Sequence, residues 1–219
     1  MHNTVKNLIY IEELIKSTVN DSSNSRKPKV IAVSKTFGID KILPLVEHGH
    51  IDYGENKIQE AIDKWTDVKL QHLKIKLHLI GKLQSNKVKF AIKIFDYIHS
   101  LDSEKLATKI AAEQVKQGKK PKLFIQVNIG NEEQKSGIHK EKIFKFYEFC
   151  KELNLDIIGL MCIPPAQEDP IQYFEEMHLL NSNANLQELS MGMSSDYLKA
   201  AKNHSTYLRI GSSIFGQRD

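Results

Sequence analysis

A single (β/α)8 TIM barrel with an extra N-terminal helix is the fold class that this 219-residue sequence predicts. Three observations carry the prediction. Eight short β-branched or apolar runs alternate with helical stretches from Lys29 to Ile210. Several of the runs are near-continuously apolar, as strands buried on both faces of a parallel sheet must be. The main competitor is an open doubly wound sheet, but the GxGxxG turn usual after its first strand is absent. Such barrels routinely run to roughly 200–250 residues as one domain, so the expectation is one domain over 1–219, with 1–28 as helix and connector.

The elements follow in order. Val5, Leu8, Ile11 and Ile15 fall at helical spacing behind a possible Asn3 or Thr4 cap, which predicts an amphipathic helix. Asn20–Pro28 (NDSSNSRKP) is a polar connector. Strands are then expected at Lys29–Ser34, Ile51–Gly54, Lys76–Ile80, Tyr97–Ser100, Lys122–Asn128, Asp156–Met161, Leu186–Ser190 and Tyr207–Ile210. Between them lie helical stretches at about 41–48, 57–65, 86–93, 104–117, 140–153, 171–180 and 196–203. The clearest is Glu104–Gln117, with Asp102 or Ser103 as N-cap, Leu106, Ile110 and Ala111 on one face, and Gly118 as the stop.

Composition narrows the function. Hydrophobic residues at 41% and charged residues at 26% supply a substantial core and exclude disordered and collagen-like classes. The net charge of +4 comes from lysines scattered along the chain, whereas nucleic-acid binding needs them gathered on one face, so no nucleic-acid partner is expected. Met1–Val19 carries Glu12, Glu13 and Lys16 and ends in no small-residue cleavage site, so it reads as neither signal peptide nor membrane span. Cys150 and Cys162 form no CxxC or Cys/His metal spacing and read as reduced core residues. A cytoplasmic protein with no membrane partner and no metal is expected.

In a barrel the working face is the C-terminal end of the strands, where the chemistry-bearing residues should gather. Lys35 ends the most apolar strand, where it either snorkels to solvent or, by lost hydration, becomes a neutral amine able to attack a carbonyl. Ser190-Met191-Gly192-Met193-Ser194-Ser195-Asp196 follows the seventh strand and Gly211-Ser212-Ser213-Ile214-Phe215-Gly216 the eighth. Both loops are small and hydroxyl-bearing, and barrel phosphate sites typically use these two. The alternative for the first loop is simple helix capping by Ser195 and Asp196. Arg209 lies inside the last apolar strand and requires a partner, either Glu188 in an ion pair or a ligand. His78 and His99 lie in strands without a third metal ligand and read as core or rim histidines. Asp52 and Glu55, on a strand and its exit, need not face each other.

Taken together, the segments Ala32–Lys35, Tyr53–Glu60, His78–Lys87, Gly159–Met161, Leu189–Ser194 and Arg209–Gly216 resemble the pyridoxal phosphate homeostasis proteins, the YggS-like group. The ordered match spans about Val30 to Arg218. The resemblance implies the barrel of the alanine racemase N-terminal domain. It implies that Lys35 holds pyridoxal 5′-phosphate (PLP) covalently as a Schiff base, that Ser190 with the backbone around Gly192, Gly211 and Ser212 cradles the phosphate, that Arg209 faces the pyridine nitrogen, and that Asn56 and Met161 line the ring pocket. Lys82 stands where Pro is common and Ser212-Ser213 replaces a frequent Thr-Ala, which keeps the hydroxyl.

The function so implied is a PLP-binding protein of intracellular vitamin B6 homeostasis, a monomer making transient contact with apo-enzymes as it hands the cofactor on. The alternative is a PLP-dependent enzyme such as an amino-acid racemase, and a third reading is a barrel enzyme for a phosphorylated substrate. An arginine at the ring nitrogen weakens the electron sink, but alanine racemase also has one there. Two-base racemisation needs an acid or base on each face of the substrate α-carbon, and Lys35 serves only one. Alanine racemase draws its second from a further domain, and this chain ends at Asp219, so a carrier without robust turnover is expected. Gly130–Gly137 (GNEEQKSG) is a polar loop over the mouth, a possible lid.

Overall fold

Parallel pairing of the apolar runs closes a barrel. The structure, a computed structural model, describes residues 1–20 and 26–217. The strands are β1 (Lys29–Val33), β2 (Asp52–Glu55), β3 (Lys76–Leu79), β4 (Tyr97–Leu101), β5 (Lys122–Asn128), β6 (Ile138–His139), β7 (Ile157–Cys162), β8 (Glu188–Met193) and β9 (Tyr207–Ile210). All except β6 form a closed parallel ring in chain order, and β9 returns to β1 with Lys29 opposite Tyr207 and Ala32 opposite Ile210. The two-residue β6 hangs outside this ring on the end of β5, opposite Val127 and Asn128.

The helices are α1 (Asn3–Asn20), α2 (Ile39–Glu47), α3 (Ile58–Gln71), α4 (Val88–Ile94), α5 (Glu104–Gln117), α6 (Ile143–Glu152), α7 (Ile171–Asn183), α8 (Tyr197–Lys202) and α9 (Ser212–Phe215). Helix α5 has the expected bounds. The Leu106 N–H donates to Ser103 Oγ at 3.4 Å, and Gly118 ends the helix at φ +60°, a conformation that glycine adopts without Cβ strain. Helix α1 buries the expected Val5, Leu8, Ile11 and Ile15. Its first turn begins one residue earlier than expected, with the His2 carbonyl accepting from the Val5 and Lys6 N–H groups, while Thr4 Oγ1 bonds back to His2 Nδ1 at 2.8 Å. It packs on α2, α8 and α9, which flank the seam between β1 and β9, and Asn7 Nδ2 donates across to the Ile214 carbonyl at 2.9 Å. Positions 21–25 of the expected connector lie outside the described residues.

Two departures have local causes. Strand β8 runs on to Met193, three residues past its expected end, through an irregularity in its pairing with β9. Gly192 sits there at φ +90°, where a Cβ would meet Ala200 Cβ of α8 at 2.5 Å. Elements β6 and α9 were not expected, because segments of two and four residues are too short to show periodicity.

Most apolar side chains fill the layer between strands and helices. A smaller apolar cluster of Ile31, Tyr97, Phe124, Met161 and Tyr207 lies apart from it, on residues of β1, β4, β5, β7 and β9. Asp52, His78, His99, Ser190 and Arg209 are buried too, and His78 and His99 stack on rings of that cluster. Among the described residues no helix is long and apolar enough to cross a membrane, and no three His, Cys, Asp or Glu side chains gather as metal ligands.

Candidate cofactor-binding site

The exit of β1 is braced from behind. Glu55 is fully buried, and its Oε1 accepts from Ser34 Oγ at 2.7 Å, Lys64 Nζ at 2.9 Å and Trp65 Nε1 at 3.0 Å. Lys64 also donates to the Ser34 carbonyl at 2.9 Å and to Glu60 at 3.0 Å. Thr36 stands at φ +68°, an uncommon conformation for a β-branched residue, and its N–H is held by Glu60. Burial alone would raise the Glu60 carboxyl, but the Thr36 N–H and Lys64 outweigh it and hold the group below its ordinary value. Lys35 lies between these two tied residues, so α3 fixes the stem from which its side chain leaves.

Lys35 opens into a cleft of about 600 Å³ at the barrel mouth. Val33, Ile80 and Ile163 supply apolar wall, Asn56 an amide, Arg209 a second cation, and Ser194, Ser195, Ser212 and Ser213 hydroxyls around Gly211. The Gly211 and Ser213 N–H groups converge on one oxygen, Ser194 Oγ, at 3.2 and 3.4 Å. Convergent backbone donors among hydroxyls are the set a phosphate takes. An aldehyde-bearing aromatic phosphate suits this lining, which combines an amine, apolar wall and donors for an anion.

Lys35, Asn56, Arg209, Gly211 and Ser212 thus come together as the sequence predicts, and the remaining three predicted residues do not reach the cleft wall. Met161 belongs to the inner apolar cluster. Ser190 is fully buried, with its hydroxyl 2.9 Å from His99 Nδ1 and accepting from Arg209 Nη1 at 2.7 Å. Gly192 is taken up by close packing against α8. Arg209 finds its partners in Ser190 and the Cys162 carbonyl at 2.8 Å, while Glu188 pairs with Arg26 at 2.7 Å. Asp52 and Glu55 diverge, one bonded to His78 and the other to α3. Burial pushes the thiols of Cys150 and Cys162 up to about 12, so both are protonated. The Gly130–Gly137 loop supplies no wall of the cleft; it is tied back by Asn128 to Glu132 and by Lys135 to the Pro164 carbonyl. The Glu55–Lys64–Trp65 brace was not foreseen, since nothing in a single sequence pairs a strand-exit carboxylate with a helix lysine.

Burial holds His78 and His99 below the ordinary imidazole value of 6.5, and His78 and Arg209 lower His99 further. The unfolded chain therefore takes up protons that the folded one refuses, and stability falls as pH drops below about 6.5. Each of the two imidazoles contributes a slope of up to about 1.4 kcal/mol per pH unit. Urea unfolding between pH 5 and 8 measures it, and a flat profile, or one unchanged in His99→Phe, contradicts the argument.

The comparisons with known proteins come to the same place. A family model described as alanine racemase, N-terminal domain, matches residues 14–219. The pyridoxal phosphate homeostasis protein of Vibrio cholerae is 35% identical over 231 residues, covering 100% of this chain and 98% of that protein. The human protein of the same name is 35% identical, over 88% and 78%. Among solved structures, PipY of Synechococcus elongatus PCC7942 with PLP bound has TM-score 0.81 and 31% identity, covering 94% of this chain and 100% of PipY. Alanine racemase of Clostridium difficile, at 14% identity, TM-score 0.74 and 57% of its length, shares the fold. The family model covers all but the first thirteen residues of a chain that folds as a closed parallel barrel, and the chain belongs to the alanine racemase N-terminal domain family.

Proposed function

We propose that this protein binds PLP in the mouth cleft and serves intracellular vitamin B6 homeostasis, holding the cofactor on Lys35 as a Schiff base and releasing it. The observation that carries this reading is the meeting of Lys35, Arg209 and the Gly211–Ser213 loop on one cleft. Bound PLP would supply an aldehyde, and Lys35, at the exit of β1, is the amine placed to hold it. The Gly211 and Ser213 N–H groups, with the hydroxyls of Ser194 and Ser212, hold the phosphate. Arg209 presents N–H donors, and no acid, to the ring nitrogen. The proposed protein is a cytoplasmic monomer in one domain that touches apo-enzymes only in passing.

Among the described residues lining the cleft there is no carboxylate, imidazole, phenol or thiol to act on the face opposite Lys35. A missing acid or base costs about 10²–10⁴-fold in rate. The protein should therefore restore activity to an apo-enzyme in a transfer assay while racemising L-alanine far below the enzymatic median of about 10 s⁻¹. Proton exchange and D-alanine formation in D₂O read the second half. Turnover near that median, or failure to pass PLP to any apo-enzyme, sinks the carrier reading.

A further inference from the structure

The barrel interior holds a row of polar side chains, Asp52, His78, His99 and Ser190, that the proposed cofactor binding leaves unused and that ends on Arg209. Asp52 Oδ1 lies 2.9 Å from His78 Nε2, His78 Nδ1 lies 3.0 Å from His99 Nε2, and His99 Nδ1 lies 2.9 Å from Ser190 Oγ. Arg209 Nη1 donates to that same Oγ at 2.7 Å. The five residues come from five strands, β2, β3, β4, β8 and β9, so the row is a product of barrel closure. His78 stacks on Tyr97 and His99 on Phe124, each with ring centroids 4.2 Å apart, which fixes the imidazole planes.

Counting donors settles the direction of every bond. Arginine only donates, so Ser190 Oγ accepts there and has one proton left for His99 Nδ1. His99 then carries its proton on Nε2 and gives it to His78 Nδ1; His78 carries its own on Nε2 and gives it to the Asp52 carboxylate. The reverse order would set a bare imidazole nitrogen against a carboxylate. Burial, which disfavours a charged imidazole at both histidines, agrees with two neutral rings.

We propose that this row is a positioning device for Arg209. Asp52, His78 and His99 hold Ser190 in the rotamer that accepts from the guanidinium. The Cys162 carbonyl takes a second N–H at 2.8 Å, and the guanidinium so fixed is part of the cleft lining. Ser190 is thereby a positioning residue and not a phosphate ligand. What the guanidinium meets there rests on the PLP reading; the row itself does not.

Two measurements separate the two. Histidine ¹⁵N spectra of the labelled protein without PLP should show His78 and His99 as neutral Nε2–H tautomers from about pH 6 to 8; an Nδ1–H tautomer or a charged ring at either overturns the proposal. In Asp52→Ala the carboxylate that accepts from His78 Nε2–H is gone while Arg209 still orders Ser190 and His99, so the His99 tautomer should persist and the His78 Nε2–H resonance should move upfield; an unmoved His78 resonance also overturns it. With PLP as probe, His99→Phe should bind about ten- to a hundredfold more weakly, the worth of one hydrogen bond to a charged group, while inorganic phosphate binding stays as in the wild type. His99→Asn, whose amide oxygen can stand near the lost Nδ1, should recover most of the PLP affinity. Wild-type PLP affinity in His99→Phe, or equal loss for phosphate, refutes positioning. Absence of any visible band in the wild type with PLP refutes the cofactor reading alone, and the spectra without PLP still judge the row.

Discussion

Lys35→Ala is expected to lose every trace of covalently held PLP and to weaken its binding by at least about a hundredfold, some 2.8 kcal/mol. Lys35 is the one lysine on the cleft wall among the described residues, so no neighbouring amine stands ready to replace it. The backbone donors around Gly211 are untouched by the substitution, so inorganic phosphate should still compete for the site if the proposed phosphate contacts hold. Borohydride reduction followed by peptide mass analysis is the decisive measurement: wild-type protein gains the pyridoxyl mass on the peptide containing Lys35. A label on another lysine alone, or a normal visible band in the variant, removes Lys35 from its assigned role.

Glu55→Ala should cost about 3–5 kcal/mol of stability, the usual penalty for breaking a buried ion pair by removing one partner. Lys64 is 9% exposed at its side chain and loses its most buried counter-charge, while Ser34 Oγ and Trp65 Nε1 lose their shared acceptor. In a chain of this size that is a fall in Tm of roughly 6–20 °C. Glu55→Gln keeps an acceptor at that point and should fall by less than half as much. Because the same oxygen ties Ser34, the residue before Lys35, the alanine variant should also bind PLP more weakly at temperatures where it is fully folded. A thermal scan beside a PLP titration checks both halves; wild-type stability in the alanine variant refutes the brace.

How far this could be read beforehand depends on the range of the interaction. Most barrel strands are legible because they carry their own apolar runs between turn residues, β2 (DYGE) by its place in the alternation, and α5 is legible to the residue because Ser103 and Gly118 are local signals. Lys35, Arg209 and Gly211 are legible because a barrel's strand exits share one face. The surroundings of Ser190 are less legible: its side chain turns inward to His99, while Ser194, four residues on, accepts from the Gly211 N–H at the cleft. Met161 is turned inward as well. The histidine row depends on register among five strands, and a single sequence shows parity within a strand but not register between strands.

The seam between β1 and β9 has a consequence for synthesis. The residues that meet there, Lys29 and Tyr207, are separated by 178 positions. At about 5–20 residues per second the ribosome delivers the second partner roughly ten to thirty-five seconds after the first. Throughout that interval one edge of β1 is an unpaired template for a stray strand. Helix α1 emerges first, yet two of the three helices it packs on, α8 and α9, arrive with the late partner. The nascent chain therefore waits with its first strand paired on one edge only, by β2, and its first helix packed on α2 alone. Loop closure across that distance is the entropic toll that must be met before the last contacts reward it.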